Sequence, residues 1–222
     1  MGEDMITGVV FDMDGVIFDS ESKVRECWKD IADRYGILDI GKATGKCLGC
    51  NAKIVKAIFL EQYGEQFDYD FYSRQVDSLF EQRYGEGRLP LKPGIGELLA
   101  FLKDNQVKTA VASSTNREIV VRELSDAGLL HWFDAVIGGD MVKESKPKPD
   151  IFLKACEEIG VRPEQTYIIE DSYNGIRAAF HAGAMPVMVP DLLPPTEEMR
   201  EKAVKILPSL MDVKVWMEGK NE

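Results

Sequence analysis

Two carboxylates stand two residues apart at the end of a short apolar run: Val9-Val10-Phe11 leads into Asp12, and Asp14 follows just before Gly15. Other polar groups end apolar runs in the same way. Ser113 follows "TAVA", Glu170 and Asp171 follow "TYII", and Lys146 lies in the loop "KESKPKPD". Taken singly, an Asp or Ser at such a place is a turn residue or a helix cap. Taken jointly they make a constellation. Converging carboxylates repel one another unless a cation lies among them, and an all-oxygen set of acids suits Mg²⁺ rather than a thiophilic metal. Mg²⁺ in turn implies phosphate, whose remaining charge the Lys146 ammonium and the Ser113 hydroxyl would meet. Phosphoryl transfer then needs a nucleophile and a proton donor for the leaving alkoxide. Asp12, ionised and metal-bound, and Asp14, facing the substrate, can divide those two tasks.

These side chains meet only if the chain brings its strand ends to one edge. Strands are expected at Ile6 to Phe11, 107–114, 133–140, 166–171 and 185–191, where short β-branched runs are bounded by turn residues. Helical stripes lie between them: Ile95, Leu98, Leu99 and Leu102; Ile119, Val120, Leu124 and Ala127 before Gly128; Phe152, Ala155 and Ile159 before Gly160. Strands apolar on both faces and separated by helices imply a parallel sheet covered on both sides, with ligands at the carboxyl ends of its strands. Residues 20–87 break the alternation and read as consecutive helices, with stripes at Val24, Cys27, Trp28 and Ile31, at Ile54, Val55 and Ile58, and at Tyr72, Val76, Leu79 and Phe80. The expectation is a core of residues 1–19 and 88–222 and a helical domain of residues 20–87, re-entering through "GEGRLPLKPG" on two hinges.

At these residues the sequence resembles the haloacid dehalogenase superfamily of phosphotransferases, over nearly the whole chain. "FDMDGVIFDSE" is similar to the first motif of that family, Ser113 of "VASST" to the second, Lys146 of "SKPKPD" to the third and "IIEDSYNGIRAA" to the fourth. The resemblance implies an α/β, Rossmann-like parallel sheet core with an inserted small helical cap that closes over the substrate. It implies Asp12 as the nucleophile forming an aspartyl-phosphate and Asp14 as the general acid/base, which also lends its backbone carbonyl to Mg²⁺. Ser113 and Lys146 would hold the transferring phosphoryl group, and Asp171, with Glu170 directly or through water, would complete the metal site. The second acid and the metal set argue for phosphate esters over halides. The sequence looks most like the β-phosphoglucomutase-like phosphatases. Mutases of that group carry a cap arginine and a cap histidine, where this chain has Ala52 and Val24. Both departures favour hydrolysis of a small phosphorylated metabolite; a sugar phosphomutase, with Lys46 or Lys53 replacing the arginine, is the alternative, and a non-catalytic ligand- or partner-binding member of the fold is another. Candidate substrate-binding residues are Ser114, Asn116 and Lys53, although Asn116 and Arg117 equally suit a helix N-terminus.

Composition narrows the partners. The 222 residues are 45% apolar, enough for a full core. The net charge of −11, 27 basic against 38 acidic residues with no basic cluster, excludes a nucleic-acid or anionic-membrane partner from the expectation. No apolar run approaches the ~18 residues a membrane span needs, and the start "MGEDMITG" lacks a basic, apolar leader, so a cytoplasmic protein is expected, most simply a monomer. Cys47 and Cys50 have C-x-x-C spacing without a second pair, and neither His131 nor His181 is spaced as a further ligand; small apolar residues are the expected role. Trp28, Trp132 and Trp216 are expected in packing, and "PTEEMREK" as a solvated helix face.

Overall fold

In the computed structural model the described residues are 6–48, 50 and 52–220, and of Ala52 the backbone alone is described. The core elements are β1 (Gly8–Phe11), then, after the insertion, α5 (Ile95–Asp104), β2 (Lys108–Ala112), α6 (Arg117–Asp126), β3 (Ala135–Ile137), α7 (Asp150–Ile159), β4 (Thr166–Glu170), α8 (Tyr173–His181), β5 (Met185–Met188), α9 (Glu197–Lys202), β6 (Lys205–Ile206) and α10 (Leu210–Glu218). The insertion is four helices, α1 (Ser20–Tyr35), α2 (Ile40–Lys46), α3 (Ala52–Tyr63) and α4 (Tyr69–Tyr84).

The six strands form one parallel sheet in the order β3-β2-β1-β4-β5-β6. Side-chain alternation explains its two covered faces. Val9, Phe11, Val111 and Ile169 face α5, α6 and α10, while Val10, Ala110, Ala112 and Ile168 face α7 and α8. The chain goes from β1 to β2 on one side and later crosses to β4 on the other, so the switch point lies between β1 and β4. A crevice opens there at the carboxyl ends, which is where ligands bind in such sheets.

The two linkers between core and insertion run side by side. Asp19 N donates to Pro90 O at 2.9 Å and Lys92 N to Ile17 O at 2.8 Å, around a bridge between Phe18 and Leu91. Asp19 lies in the outgoing linker, before α1, and its side chain makes no capping bond. The expected strands run shorter than their apolar runs: 133–140 keeps only Ala135–Ile137, because Gly138 and Gly139 turn the chain against Arg117 and Ser114. Three helical stripes were legible in the insertion; α2, with Gly41 and Gly45 in seven residues, shows none. Among the described residues no helix is long and apolar enough to cross a membrane.

Candidate active site

Asp12, the residue after β1, is placed by pairing with both neighbouring strands, its own N–H donating to Ile169 O at 2.9 Å. Across the switch point, Glu170 ends β4 and Asp171 follows it. The carboxylates of Asp12, Glu170 and Asp171 each offer an oxygen within 4.8 Å of the others, and all three residues are buried. Lys146 enters from the loop before α7. Its Nζ donates to Asp12 Oδ1 at 2.5 Å, to Glu170 Oε1 at 2.7 Å and to Ala112 O at 3.3 Å. Glu170 is held from its other oxygen: Oε2 accepts Ser172 N at 2.8 Å and Ser172 Oγ at 2.9 Å, while Ser172 Oγ accepts Gly175 N to cap α8. A side chain at Gly175 would collide with this carboxylate, and one at Gly15, where φ is +80°, would put Cβ 2.6 Å from Asp171 Oδ2. Both glycines are required by the closeness of the acids.

Three buried carboxylates against one ammonium leave excess negative charge. Burial, reinforced by Glu170 and Asp14, pushes the Asp12 carboxyl up to about 8 although Lys146 pulls it down. Burial, then Glu170 and Asp12, likewise hold Asp171 well above the usual carboxylate range. Burial alone would lower Lys146, but Asp12 and Glu170 outweigh it and keep the ammonium charged. An oxygen-only donor set with uncompensated negative charge fits a hard divalent cation.

Asp14 lies beside this cluster and is turned from it. Its Oδ1 accepts Ser20 Oγ at 2.7 Å; its Oδ2 accepts Thr115 Oγ1 at 3.2 Å and Ser113 Oγ at 3.4 Å. Ser113 is fully buried, and its Oγ also accepts Thr115 N at 3.0 Å. Ser20 opens α1, so the insertion itself grips this carboxylate. Asn116 is the N-cap of α6, its side chain accepting Glu118 N at 3.0 Å. One further acid on α6, Glu123, is pushed up to about 7 by burial and then by Asp14. Next to it Arg122 pairs with Glu81 of α4 at 3.3 Å, across the hinge.

Two cavities flank the cluster. One, of about 340 Å³, is lined by Lys146, Ser114, Gly139 and Ser145 of the core and by Lys53 of α3. The other, of about 190 Å³, is lined by Asp14 of the core and by residues of the insertion, Ser20, Val24, Arg25, Trp28, Cys47, Val55 and Phe59 among them. Trp28 packs on Phe59 with ring centroids 4.5 Å apart, whereas Trp132 and Trp216 pack against the core. Cys47 and Cys50 are free thiols; burial pushes Cys47 up to about 12, the opposite of what a thiolate ligand requires.

Residues 6–183 match the model of the haloacid dehalogenase-like hydrolases. The chain belongs to this family. It is 31% identical over 175 residues to a phosphorylated carbohydrates phosphatase of Thermotoga maritima, covering 79% of this chain and 81% of that one. Among solved structures it superposes on CbbY of Rhodobacter sphaeroides in complex with phosphate, with TM-score 0.77, 29% identity and coverage of 94% and 96%. It also superposes on β-phosphoglucomutase of Clostridium difficile, with TM-score 0.75, 26% identity and coverage of 97% and 96%. The four inserted helices, α1 to α4, are the small cap of haloacid dehalogenase-like hydrolases of the β-phosphoglucomutase and CbbY type.

Sequence reasoning missed Ser20, Thr115, Ser172 and Arg25. Ser172 had a signal, since a serine three residues before Gly175 at the start of an apolar stripe is a helix cap. Thr115 and Ser20 had none, because nothing in the sequence says which hydroxyl meets Asp14.

Proposed function

We propose that the protein is a Mg²⁺-dependent phosphatase of small phosphorylated metabolites, sugar phosphates among them, working through an aspartyl-phosphate on Asp12. The observation that supports this most is the meeting of Asp12, Lys146, Glu170 and Asp171 at the switch point, with Asp14 beside them. Asp12, Asp171 and Glu170, with the Asp14 backbone carbonyl, would hold the cation. When bound, Mg²⁺ would neutralise phosphoryl oxygens and offset the repulsion that raises Asp12. Lys146 occupies Asp12 Oδ1, which leaves Oδ2 to attack phosphorus as the ester P–O bond breaks. Lys146 and Ser113 hold the phosphoryl oxygens. Asp14, released from Ser20 and Thr115, gives a proton to the leaving alkoxide; as a carboxylate it then takes one from the water that attacks phosphorus, and Asp12 leaves as a carboxylate. The leaving group occupies the cavity that Asp14 opens, with Ser114 and Lys53 on the other side of the cleft.

Hydrolysis rather than phosphomutation is favoured by Val24, which lines that cavity where a mutase has its histidine. The side chain of Ala52, at the arginine position, lies outside the described residues. A panel of phosphorylated metabolites assayed with Mg²⁺ tests the activity, which a chelator should abolish. Phosphorus NMR of a hexose 1-phosphate tests its outcome: inorganic phosphate and free sugar are expected. Predominant 6-phosphate would mean that Lys53, Lys46 or Arg25 grips a second phosphate and that the enzyme is a mutase.

A further inference from the structure

One buried carboxylate on the sheet edge that carries the cluster is only half explained by the protein around it. Asp191 lies three residues beyond β5, on the same sheet edge as Asp171, since β5 pairs with β4 and Val189 N donates to Glu170 O at 2.9 Å. Its side chain is only 9% exposed. Asp191 Oδ1 accepts Lys92 Nζ at 2.7 Å, whereas Oδ2 is buried and accepts no hydrogen bond among the described residues. Buried carboxylate oxygens are almost always paired, so an orphan one indicates a donor that is not part of the chain. Asp171 is near enough to feel its charge. Two negative groups at that edge make a neutral or anionic guest unfavourable, and water polarised by a bound cation is a strong donor.

We infer that Asp191 is a positioning residue of the cation site: its Oδ2 accepts a hydrogen bond from a water bound to the cation, and Lys92 clamps its other oxygen. The inference rests on the metal reading given above. Lys92 belongs to the return linker, where its N–H is bonded to Ile17 O, so the clamp is anchored in the hinge. Lys92 also dictates what a conservative change does. In Asp191→Asn the amide oxygen must face the ammonium, which turns the NH₂ group, a donor, toward a site that needs an acceptor.

Calorimetric titration of the full-length protein with Mg²⁺ alone, without substrate, tests this. Loss of such an outer partner typically costs about 10- to 100-fold in metal affinity; Asp191→Asn is expected to weaken Mg²⁺ binding about 10-fold, and Lys92→Met by a smaller factor. The Tm of metal-free Asp191→Asn should stay within about a degree of wild type, a result that a merely structural residue would not give. Wild-type Mg²⁺ affinity in Asp191→Asn would overturn the inference and leave the metal reading intact. So would a metal-free Asp191→Asn protein destabilised enough to account for the lost affinity. Absence of Mg²⁺ binding by the wild-type protein would instead overturn both.

Discussion

The sheet edge and the cap solve different problems with different materials. At the edge, main-chain pairing of β1 with two neighbours sets Asp12, and Glu170 is pinned from both oxygens by Lys146 and Ser172. In the cap no strand occurs among the described residues, and position comes from rings: Phe59 sits among Trp28, Tyr63, Phe67 and Tyr69 at centroid distances of 4.5 to 6.1 Å. Backbone pairing tolerates no lateral shift, so the reacting groups are fixed. Side-chain packing tolerates repacking, so the walls of the cap cavity can change while the helices remain. On the proposed function, chemistry falls to the rigid part and selectivity to the adaptable one.

The comparison breaks most severely at Asp12. Asp12→Asn should reduce turnover on the order of 10³-fold or more, in a preparation checked for deamidation, because the proposed nucleophile acts with its neighbours as a unit and an amide does not replace it. Its metal-free Tm should not fall, since one of the mutually repelling buried acids is gone. Lys146→Ala comes next: it strands two buried carboxylates and should cost about 3–5 kcal/mol in stability as well as most of the activity. Lys205→Ala, at an exposed position on β6, should do neither; equal effects in urea melts and assays would show Lys146 to be solvated.

Phe59→Ala probes the other material. It should destabilise by about 3 kcal/mol, and a short aryl phosphate that does not fill the cap should lose far less kcat than a bulky sugar phosphate. Equal losses on both would mean that cap packing also sets the catalytic groups. The smallest effect is at Glu123, near the hinge. Its pKa of about 7 in the folded protein against 4.5 unfolded means that folding favours the protonated form. That stability is fully present below pH 4.5 and is lost as pH rises to about 7. Glu123→Gln should therefore match wild type in Tm at the acid end and exceed it by a few degrees above pH 7, once solvent screening of this partly exposed group is allowed for. A constant difference across the range would remove titration from the explanation.

The same contrast explains what was legible in the sequence. Asp12, Glu170 and Asp171 were expected at one edge, where the structure brings them together, because a residue at the end of an apolar run in a parallel sheet can point to only one edge; Lys146 joins them from a loop. The cap was legible as helices and not as a cavity: Val24 and Arg25 share its wall, yet adjacent helical residues have no periodicity that marks them as facing one guest. The hydroxyls around Asp14 come from residues 20, 113 and 115. Ser113 stood out as a residue at a strand end, but nothing local pairs Ser20 or Thr115 with Asp14. The segment after β5 hid β6 for a related reason, since a two-residue strand is too short to alternate.

The bonded pair of linkers has a consequence for how such a molecule is altered over time. Because Asp19 and Pro90 are hydrogen-bonded neighbours, the insert leaves and re-enters its host at nearly the same point. Everything between can be lengthened, exchanged or cut back to a tight turn without parting β1 from β2. The graft point is thus closed independently of the graft, and a lineage can trade one lid for another while the acids beneath it stay where they are.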